Sequence, residues 1–499
     1  MHSDNEMLRM RREKLDTLAD MNISAYPARS ARTHTIDNLL ANEDAYIAGE
    51  ERVIIAGRLN SKRRMGKAGF ANLRDAGGVI QLFIRKNDVG NDAYELFKLL
   101  DLGDFVQAEG TCFHTRTGEY SVKVEKLVLL SKSLRMLPTV KEQVLEDGTV
   151  KRFDEFADIE LRYRKRYLDL LLNPERRRTF EVRAQFISAI RRFLDERGFL
   201  EVETPVLQSL YGGANARPFV THHHTLDTDF FLRIATELYL KRLVIGGIER
   251  VYEMGKNFRN EGMDRTHNPE FTLLEVYQAY ADYNDIMELT EEMIRMAAQA
   301  IFGEERLTFQ GEVIELAGPW RRASMLELIQ EHAGYDASHF DADRLRAFYK
   351  QHELEPPAHA GPGKLIEELF AHFCEPKLVQ PTFVTDFPRE VSPLAKRRED
   401  DDRFVERFEL YIAGYECANA FSELNDPIDQ RTRLEAQAAL RDLGDLEANV
   451  VDEDFLEAME YGMPPTGGLG IGIDRMVMLF TDNVSIKEVI LFPQMKREG

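Results

Sequence analysis

The amino-acid sequence predicts an α+β chain: a small all-β domain in the first third, then a larger domain that mixes long helices with strands. Three observations carry that prediction. Five short strand-like runs crowd into residues 53–128 around a single helical stretch. Stripes of apolar residues at helical spacing follow from residue 180. Strand-like patterning then returns near residues 257–277, 404–413 and 467–473. With 499 residues the chain has room for two or three domains and an ample core.

Residues 1–50 read as a helical extension, with a charged helix over 7–20 that keeps an apolar stripe. Strands are expected at 53–58, 69–74 and 79–84, the last two joined by a Gly77-Gly78 turn. A helix at 92–100 separates them from strands at 105–113 and 120–128, which are turned by Thr117-Gly118. In the last strand Tyr120, Val122 and Val124 alternate with Ser121, Lys123 and Glu125, so one face is apolar. Three strands, a helix and two strands in this span describe a small closed Greek-key barrel of the OB type over residues 51–137. An unrelated five-stranded domain satisfies the same count. From residue 52 to residue 74 stand seven basic residues (Arg52, Arg58, Lys62, Arg63, Arg64, Lys67, Arg74), Phe70 and no acid. Basic groups interleaved with aromatic rings hold single-stranded nucleic acid by phosphate neutralisation and base stacking. A solvated charged loop has the same composition. The freedom from acids, in a chain of net charge −21, favours the nucleic-acid reading.

Residues 138–160 read as a linker, in which Asp147-Gly148 between Val144-Leu145 and Val150 suggests a small hairpin. The second domain spans 161–499. Val182, Phe186, Ile190, Phe193 and Leu194 share one stripe of a helix over 180–197 that stops at Gly198. Residues 199–207 are extended with Pro205 near their end, which suits a sheet edge or an interface. Helices are expected over 284–301 and 323–376, the second inside a helical insertion of about 302–380. A strand follows at 404–413, and a Gly-rich segment leading into a helix closes the domain.

Composition narrows the function classes. Apolar content of 43% and charged content of 30% are those of an ordinary globular protein. No run of about 18 apolar residues is present, so no membrane span is expected. Early acids (Asp4, Glu6) without an apolar h-region argue against secretion. Cys112, Cys374 and Cys417 lie far apart, so a reduced, cytoplasmic protein without a disulfide frame or thiolate zinc site is expected. The acidic sum does not exclude a polyanionic partner, because the distribution of charge decides that question.

The chemistry concentrates in Asn257-Phe258-Arg259-Asn260-Glu261 and, after a polar turn through Gly262, in His267-Asn268-Pro269-Glu270-Phe271. Read as a hairpin, Arg259 and Glu261 share a strand face, and the return strand brings a histidine, a ring and Glu275. A guanidinium for phosphate, a carboxylate for an exocyclic amine and a ring for the base make a nucleoside triphosphate site. An amphipathic hairpin with solvated charges is the other reading. Glu409 and Glu416 stand on or beside a predicted strand, and hard oxygen ligands that bridge to a triphosphate suit Mg²⁺. Glu237, at the start of an apolar helix, and Glu423, among apolar neighbours, need a cationic or metal partner. An Arg or Lys of the protein would serve any of these four acids as well. The run Gly467-Gly468-Leu469-Gly470-Ile471-Gly472 has the wrong spacing for a dinucleotide fold and too short a tail for a βαβ unit. A strand along whose glycines a nucleotide lies against the backbone, then a helix presenting Arg475, fits better. His222-His223-His224 is not expected to hold a metal, since neighbours on an extended chain face opposite ways and no fourth ligand is placed.

Gly198 through Pro205, Phe258-Arg259-Asn260-Glu261 through Phe271, and Gly470-Ile471-Gly472-Ile473-Asp474-Arg475 resemble, in this order, the three motifs of the class II aminoacyl-tRNA synthetases. Within them the bacterial lysyl subgroup is suggested by Gly212-Gly213-Ala214-Asn215-Ala216-Arg217-Pro218-Phe219, Glu237-Leu238-Tyr239-Leu240-Lys241-Arg242 and Phe421-Ser422-Glu423-Leu424-Asn425-Asp426-Pro427. The resemblance implies an antiparallel catalytic sheet flanked by helices, an N-terminal OB anticodon-binding domain, and a homodimer built partly on the first motif. It implies ATP, L-lysine and tRNA(Lys) as partners and Mg²⁺ as cofactor. Arg259 would hold the ATP α-phosphate and Glu261 the adenine amine; Phe271 would stack on the base; His267 and Arg475 would meet the outer phosphates, with Asn268 in the same site. Arg259 and Arg475 are the residues so implied to be catalytic, and Glu409 and Glu416 to hold Mg²⁺. Gly213, Glu237 and Glu275 would meet the lysine α-amino group, Asn419 its carboxylate, and Tyr277 and Glu423 its ε-ammonium. On the barrel, Arg63, Phe70, Gln81 and Glu119 match positions that contact anticodon bases. Two departures stand out: Thr236 replaces the usual Pro, and residues 139–155 exceed the usual linker.

Carboxylates gathered without a basic residue to receive an acidic side chain select a cationic substrate; an aspartate site would need Arg or Lys where Glu423 sits. The expected reaction is lysine adenylation followed by transfer to the 3′ end of tRNA. The alternatives are an aspartyl- or asparaginyl-type synthetase, a protein-lysylating paralogue without the barrel, and a non-catalytic nucleic-acid-binding paralogue. The last would lack several of Arg259, Glu409, Glu416 and Arg475.

Overall fold

A computed structural model describes residues 2–138, 141–144, 150–153, 156, 158–357, 360–442 and 450–496. The chain forms two compact units, Met1–Ala157 and Asp158–Gly499.

The first unit opens with helix α1 (His2–Asp20) and then closes a barrel from β1 (Arg52–Met65), β2 (Ala68–Arg74), β3 (Val79–Arg85), β4 (Phe105–His114) and β5 (Tyr120–Ser131), in the order β1-β2-β3-β5-β4. Period-two alternation drives it: Val53, Ile55, Leu73, Ile80, Leu82, Val106, Val122 and Val124 all turn inward. Helix α2 (Asn91–Leu99) adds Leu96 and Phe97 to the same core. β1 does not stop at Arg58 but runs on to Met65, through the basic stretch, after a register shift between Leu59 and Ser61. Short strands Lys141–Val144 and Val150–Phe153 pair antiparallel, as the linker pattern suggested; their Asp147-Gly148 turn lies outside the described residues.

The second unit is built on eight strands: β6 (Leu200–Glu201), β7 (Arg250–Phe258), β8 (Glu270–Ala279), β9 (Arg321–Ser324), β10 (Thr382–Pro388), β11 (Phe404–Ile412), β12 (Tyr415–Ser422) and β13 (Thr466–Gly472). Their spatial order is β9-β10-β11-β12-β13-β8-β7-β6. The inner pairs are antiparallel, whereas the two edge pairs, β9 with β10 and β6 with β7, are parallel. Helices α3 (Arg177–Glu196), α5 (Tyr283–Phe302) and α6 (Ile473–Phe480) flank the sheet, and α4 (Glu237–Ile245) precedes β7. One sheet face is the core: Tyr252, Leu274, Val276, Phe408, Leu410, Ala420, Leu469 and Ile471 pack against Phe186, Ile190, Phe193, Ile294 and Val477. The residues between them in each strand turn to the other face. That alternation fixes where the chemistry sits.

The helical insertion begins later than residue 302. Strands Arg306–Phe309 and Glu312–Glu315 form a hairpin, and β9 joins the sheet, before helices Met325–Ala333, Ala342–Gln351 and Pro362–Phe373. Leu307, Phe309, Ile314 and Leu316 enter the main core from that hairpin, a period of two that overrides a helical reading. Among the described residues no helix is long and apolar enough to cross a membrane.

Candidate active site

A cavity of about 1100 Å³ opens on the sheet face opposite α3 and α5. Its floor is the complement of the core. β8 contributes Phe271, Glu275 and Tyr277, β11 contributes Arg407 and Glu409, β12 contributes Asn419, and β13 contributes Gly468 and Gly470. Each alternates with a core residue of the same strand.

Glu416 reaches this face through an irregularity. Glu409 pairs with Asn419 and Leu410 with Ala418, but Tyr411 pairs with Glu416, so Cys417 is an extra residue on β12. In unbroken register Cys417 would face the cavity and Glu416 the core. The bulge exchanges them: Cys417 is buried in the core cluster, and Glu416 lines the cavity with Glu409.

At one end of the cavity the groups are cationic and partly open. β7 ends at Phe258, so Arg259 and Glu261 are not on a strand as the hairpin reading had it, and His267 lies in the loop before β8 rather than on it. The loop is held by other means. Arg259 N–H donates to Pro269 O (2.9 Å), Asn260 N–H to Arg217 O (2.7 Å), and Asp264 accepts from the N–H groups of Thr266 and His267 (both 2.7 Å). Those donors and the His267 ring outweigh the cost of its desolvation and bring the Asp264 carboxyl down to about 2. The Arg259 guanidinium lies 5.1 Å above the Phe271 ring, and its Nε has no hydrogen-bond partner. Arg475 donates to Glu416 O (2.8 Å) and Glu416 Oε2 (3.1 Å), with its other nitrogen 3.3 Å from His267 Nε2. Glu261 is exposed. Asn268 turns its amide nitrogen to Glu270 O and Gln494 Oε1 (2.6 Å each), so it braces the loop.

Between the two ends, Glu409 accepts from Arg407 (2.6 Å), from Tyr411 (2.7 Å) and from Asn419 (3.3 Å). Burial, aided by Glu416, pushes its carboxyl up despite Arg407. Two carboxylates from neighbouring strands on one face, with Glu416 raising the cost of charge on Glu409, are a donor set that fits Mg²⁺. That ion takes few protein carboxylates and keeps phosphate and water ligands. Among the described residues no group of three or more His, Cys, Asp and Glu side chains could hold a metal alone.

The other end is acidic and sealed. Glu237 is the first residue of α4, Glu275 sits on β8, and Glu423 follows β12; all three are buried. Burial pushes Glu275 up to about 7, with Glu237 adding to it, although Thr236 N–H donates to Glu275 Oε1 (3.0 Å). A proline in place of Thr236 would lack that donor, so this departure bears on the site and not only on a boundary. Tyr277 OH donates to Glu275 Oε2 (3.4 Å). Gly213 has φ +85°, and an added Cβ would stand 3.1 Å from Glu237 Cβ. At Gly468 a Cβ would overlap Glu423 Oε1, at 1.9 Å. The glycine strand therefore makes room for the acidic end.

One expectation fails here. A basic residue does enter the acidic pocket: the Lys241 ammonium donates to Glu237 Oε1 (2.5 Å) and is within ion-pair reach of Glu423 Oε2. Three carboxylates facing one ammonium still leave the pocket negative.

Residues 158–496 match the family model for tRNA synthetases class II (D, K and N), and residues 53–130 match that of the OB-fold nucleic acid binding domain. The chain belongs to the class II tRNA synthetases. Curated relatives of this synthetase extend over its whole length. It is 51% identical to a lysine–tRNA ligase of Shouchella clausii (99% of this chain, 97% of the relative). Identity is 52% with that of Pelotomaculum thermopropionicum (99% and 95%), and 48% with that of Bacillus subtilis (99% and 98%).

The synthetase's barrel face is narrower than its basic stretch. Arg63 pairs with Phe70 across β1 and β2, Phe70 with Phe83 across β2 and β3, and Phe83 with Lys123 across β3 and β5, one row on one face. Phe70 and Phe83 stack at 5.0 Å. Gln81, two residues from Phe83 on that face, accepts from Ser121 (2.9 Å), whose hydroxyl also lies 3.2 Å from Glu119 O in the adjoining loop. Arg63, Arg64 and Lys67 are exposed. The other basic residues are not all free for a ligand: Arg52 pairs with Glu125 (2.5 Å), Arg58 lies over Phe105 (4.2 Å), and Lys62 donates to Lys98 O (3.0 Å). Burial pulls Lys62 down to about 8.

Arg407, which lines the cavity, and Lys241 and Tyr411, which stand behind its acids, are the residues that sequence reasoning missed. Lys241 stands four residues after Glu237 in an apolar helix, the spacing of a helical Glu–Lys pair. Arg407 and Tyr411 flank Glu409 at strand period, hence on its face.

Proposed function

We propose that this synthetase is a lysine–tRNA ligase, activating L-lysine with ATP and transferring it to tRNA(Lys). The observation that carries this is the buried acidic end of the cavity, still negative after Lys241 is counted, set beside the cationic end at Arg259 and Arg475. A carboxylate-rich, desolvated pocket rejects an acidic side chain and receives an ammonium. The family model spans aspartate, asparagine and lysine enzymes, and Lys241 is the feature an aspartate reading would use. It is already engaged by Glu237 and Glu423, so an incoming carboxylate would face two acids.

In this reading Glu423 and Tyr277 receive the ε-ammonium, and Glu237, Glu275 and the backbone at Gly213 receive the α-ammonium. Asn419 orients the carboxylate. Phe271 stacks on adenine and Glu261 accepts from its amine. Arg259 stabilises charge on the α-phosphate while the lysine carboxylate, already ionised, attacks it. Pyrophosphate departs with the bonding electron pair, steadied by Arg475 and His267. Glu409 and Glu416 would hold Mg²⁺, which when bound supplies charge neutralisation to the triphosphate. The tRNA 3′-terminal ribose hydroxyl then attacks the adenylate carbonyl and AMP leaves. Arg63, Phe70, Gln81 and Glu119 contact anticodon bases. Leu200, Val206, Leu207 and Leu210, large and exposed around the first motif, support a homodimer. The working compartment proposed is the cytoplasm.

ATP–pyrophosphate exchange with each of the twenty amino acids tests this. Exchange with lysine alone is expected. Exchange with aspartate or asparagine, or none at all, would refute it.

A further inference from the structure

Lys241 has no role in the chemistry just described, yet it is a fully enclosed charge just behind the cavity's acids. Its side chain is 0% exposed. An ammonium in that position needs opposite charge close by, since burying it unpaired costs several kcal/mol, roughly. Helix Glu453–Glu460, β7 and β8 pack against α4, and the charged and titratable groups around the ammonium come from several elements. Glu237 lies on α4 itself, Glu423 after β12, Glu275 and Tyr277 on β8 and Arg407 on β11. The rings of Phe421 and Phe455 stand 5.5 and 6.0 Å from its nitrogen. Burial alone would lower the Lys241 ammonium, but Glu237 and Glu423 outweigh it and hold it above its ordinary range. Burial pushes both acids the other way, and Lys241 is the first group opposing that for each.

The geometry matters as much as the charge. Lys241 bridges the acid placed to receive one amino group of lysine and the acid placed to receive the other. Its close contacts are with one oxygen of each acid, Glu237 Oε1 and Glu423 Oε2. Each carboxylate therefore has a second oxygen that Lys241 does not occupy. Fully ionised, the three carboxylates and one ammonium leave two negative charges, the number cancelled by the two ammonium groups of one lysine.

We propose that Lys241 is a specificity-determining positioning residue: a resident ammonium that keeps Glu237 and Glu423 ionised and aligned in the empty pocket and sets its charge to match a diammonium substrate. The inference rests on the lysine reading of the cavity. Without Lys241, two neighbouring buried acids cannot both stay charged near neutral pH, and the substrate must expel their protons before it binds.

The test compares wild type with K241M, close in size but uncharged, and with K241R, which keeps the charge. In lysine-dependent exchange at pH 7.5, K241M is expected to raise the KM for lysine at least about tenfold while the KM for ATP stays within about twofold. Between pH 7 and 9 that loss should shrink more steeply than any change in wild type or K241R, because rising pH removes the protons that Lys241 otherwise excludes. An unchanged lysine KM in K241M, or parallel losses for lysine and ATP with a lowered Tm, would overturn the proposal and leave Lys241 a packing residue. Should K241M not fold, calorimetry of lysine binding to wild type at pH 8 in buffers of different ionisation enthalpy decides the matter. Little proton release, below about half a proton, is expected, and release approaching two protons would overturn it. If wild type shows no lysine-dependent exchange or lysine binding, the lysine reading itself has failed; an active wild type with an indifferent K241M fails only this inference.

Discussion

The two ends of the cavity hold charge in opposite ways. Around Arg259, His267 and Arg475 the groups sit on a loop and a helix start and are partly open. Among the described residues no carboxylate pairs with Arg259, and Glu261 stands in solvent. Around Glu237, Lys241, Glu275 and Glu423 the charges lie inside the wall of the sheet and are buried. A guanidinium keeps its charge beside any neighbour, so that end depends on aim. A sealed carboxylate is charged only as far as its neighbours permit, so the other end depends on proton balance. The first arrangement suits a triphosphate that brings its own charge; the second discriminates between side chains that differ in charge.

That contrast can be broken from either side. The largest effect is expected at the open end: Arg259→Ala should slow lysine-dependent exchange by about a thousandfold with little change in Tm, because it removes charge stabilisation at the reacting phosphate. Wild-type exchange in that variant would deny the open end its role. Next, Gly468→Ala should raise the KM for lysine by about a hundredfold and leave ATP binding nearly untouched, since the new Cβ meets Glu423 and Tyr277. Equal damage to both substrates would show that the two ends are not separable. Third comes pH. The Glu275 carboxyl, pushed up to about 7, is largely neutral at pH 6 and ionised at pH 8. Only the carboxylate pairs with an ammonium, so lysine affinity should rise by up to about tenfold across that interval, read by calorimetry with ATP affinity as the control. A flat lysine profile would mean that Glu275 does not titrate there. The smallest effect lies outside the cavity: Phe70→Ala should raise the KM for tRNA about fivefold through one lost stacking surface, with tRNA-independent exchange as the internal control.

Much of this was legible in the chain. The barrel strands, helix α3 with its Gly198 stop and the strand-then-helix ending at Arg475 all follow from local periodicity, and the tertiary fold leaves that periodicity intact. What was not legible depends on register and neighbours. Arg259 and Glu261 look like strand residues because their side-chain types alternate, but β7 ends one residue earlier, where Arg259 N–H bonds to Pro269 O and Asn260 N–H to Arg217 O. The hairpin at 306–315 hid inside a segment read as helical because each of its strands is only four residues long. The basic stretch looked uniform in sequence, although β1 alternates and sends Arg58 and Lys62 to partners within the barrel. Lys241 stood in plain view as a helical neighbour of Glu237. Its contact with Glu423, 182 positions away along the chain, becomes visible only when β12 is laid beside α4.

The extra residue at Cys417 makes catalysis and folding separable by a single deletion. A descendant lacking Glu416 would keep its hydrophobic pairs, its eight strands and its barrel, yet regular register would turn the Cys417 thiol to the cavity where an acid had been. Such a lineage could go on gripping RNA long after it had lost the means to charge it, so counting residues between Glu409 and Asn419, which pair across the two strands, is a quick way to tell a working ligase from a retired one.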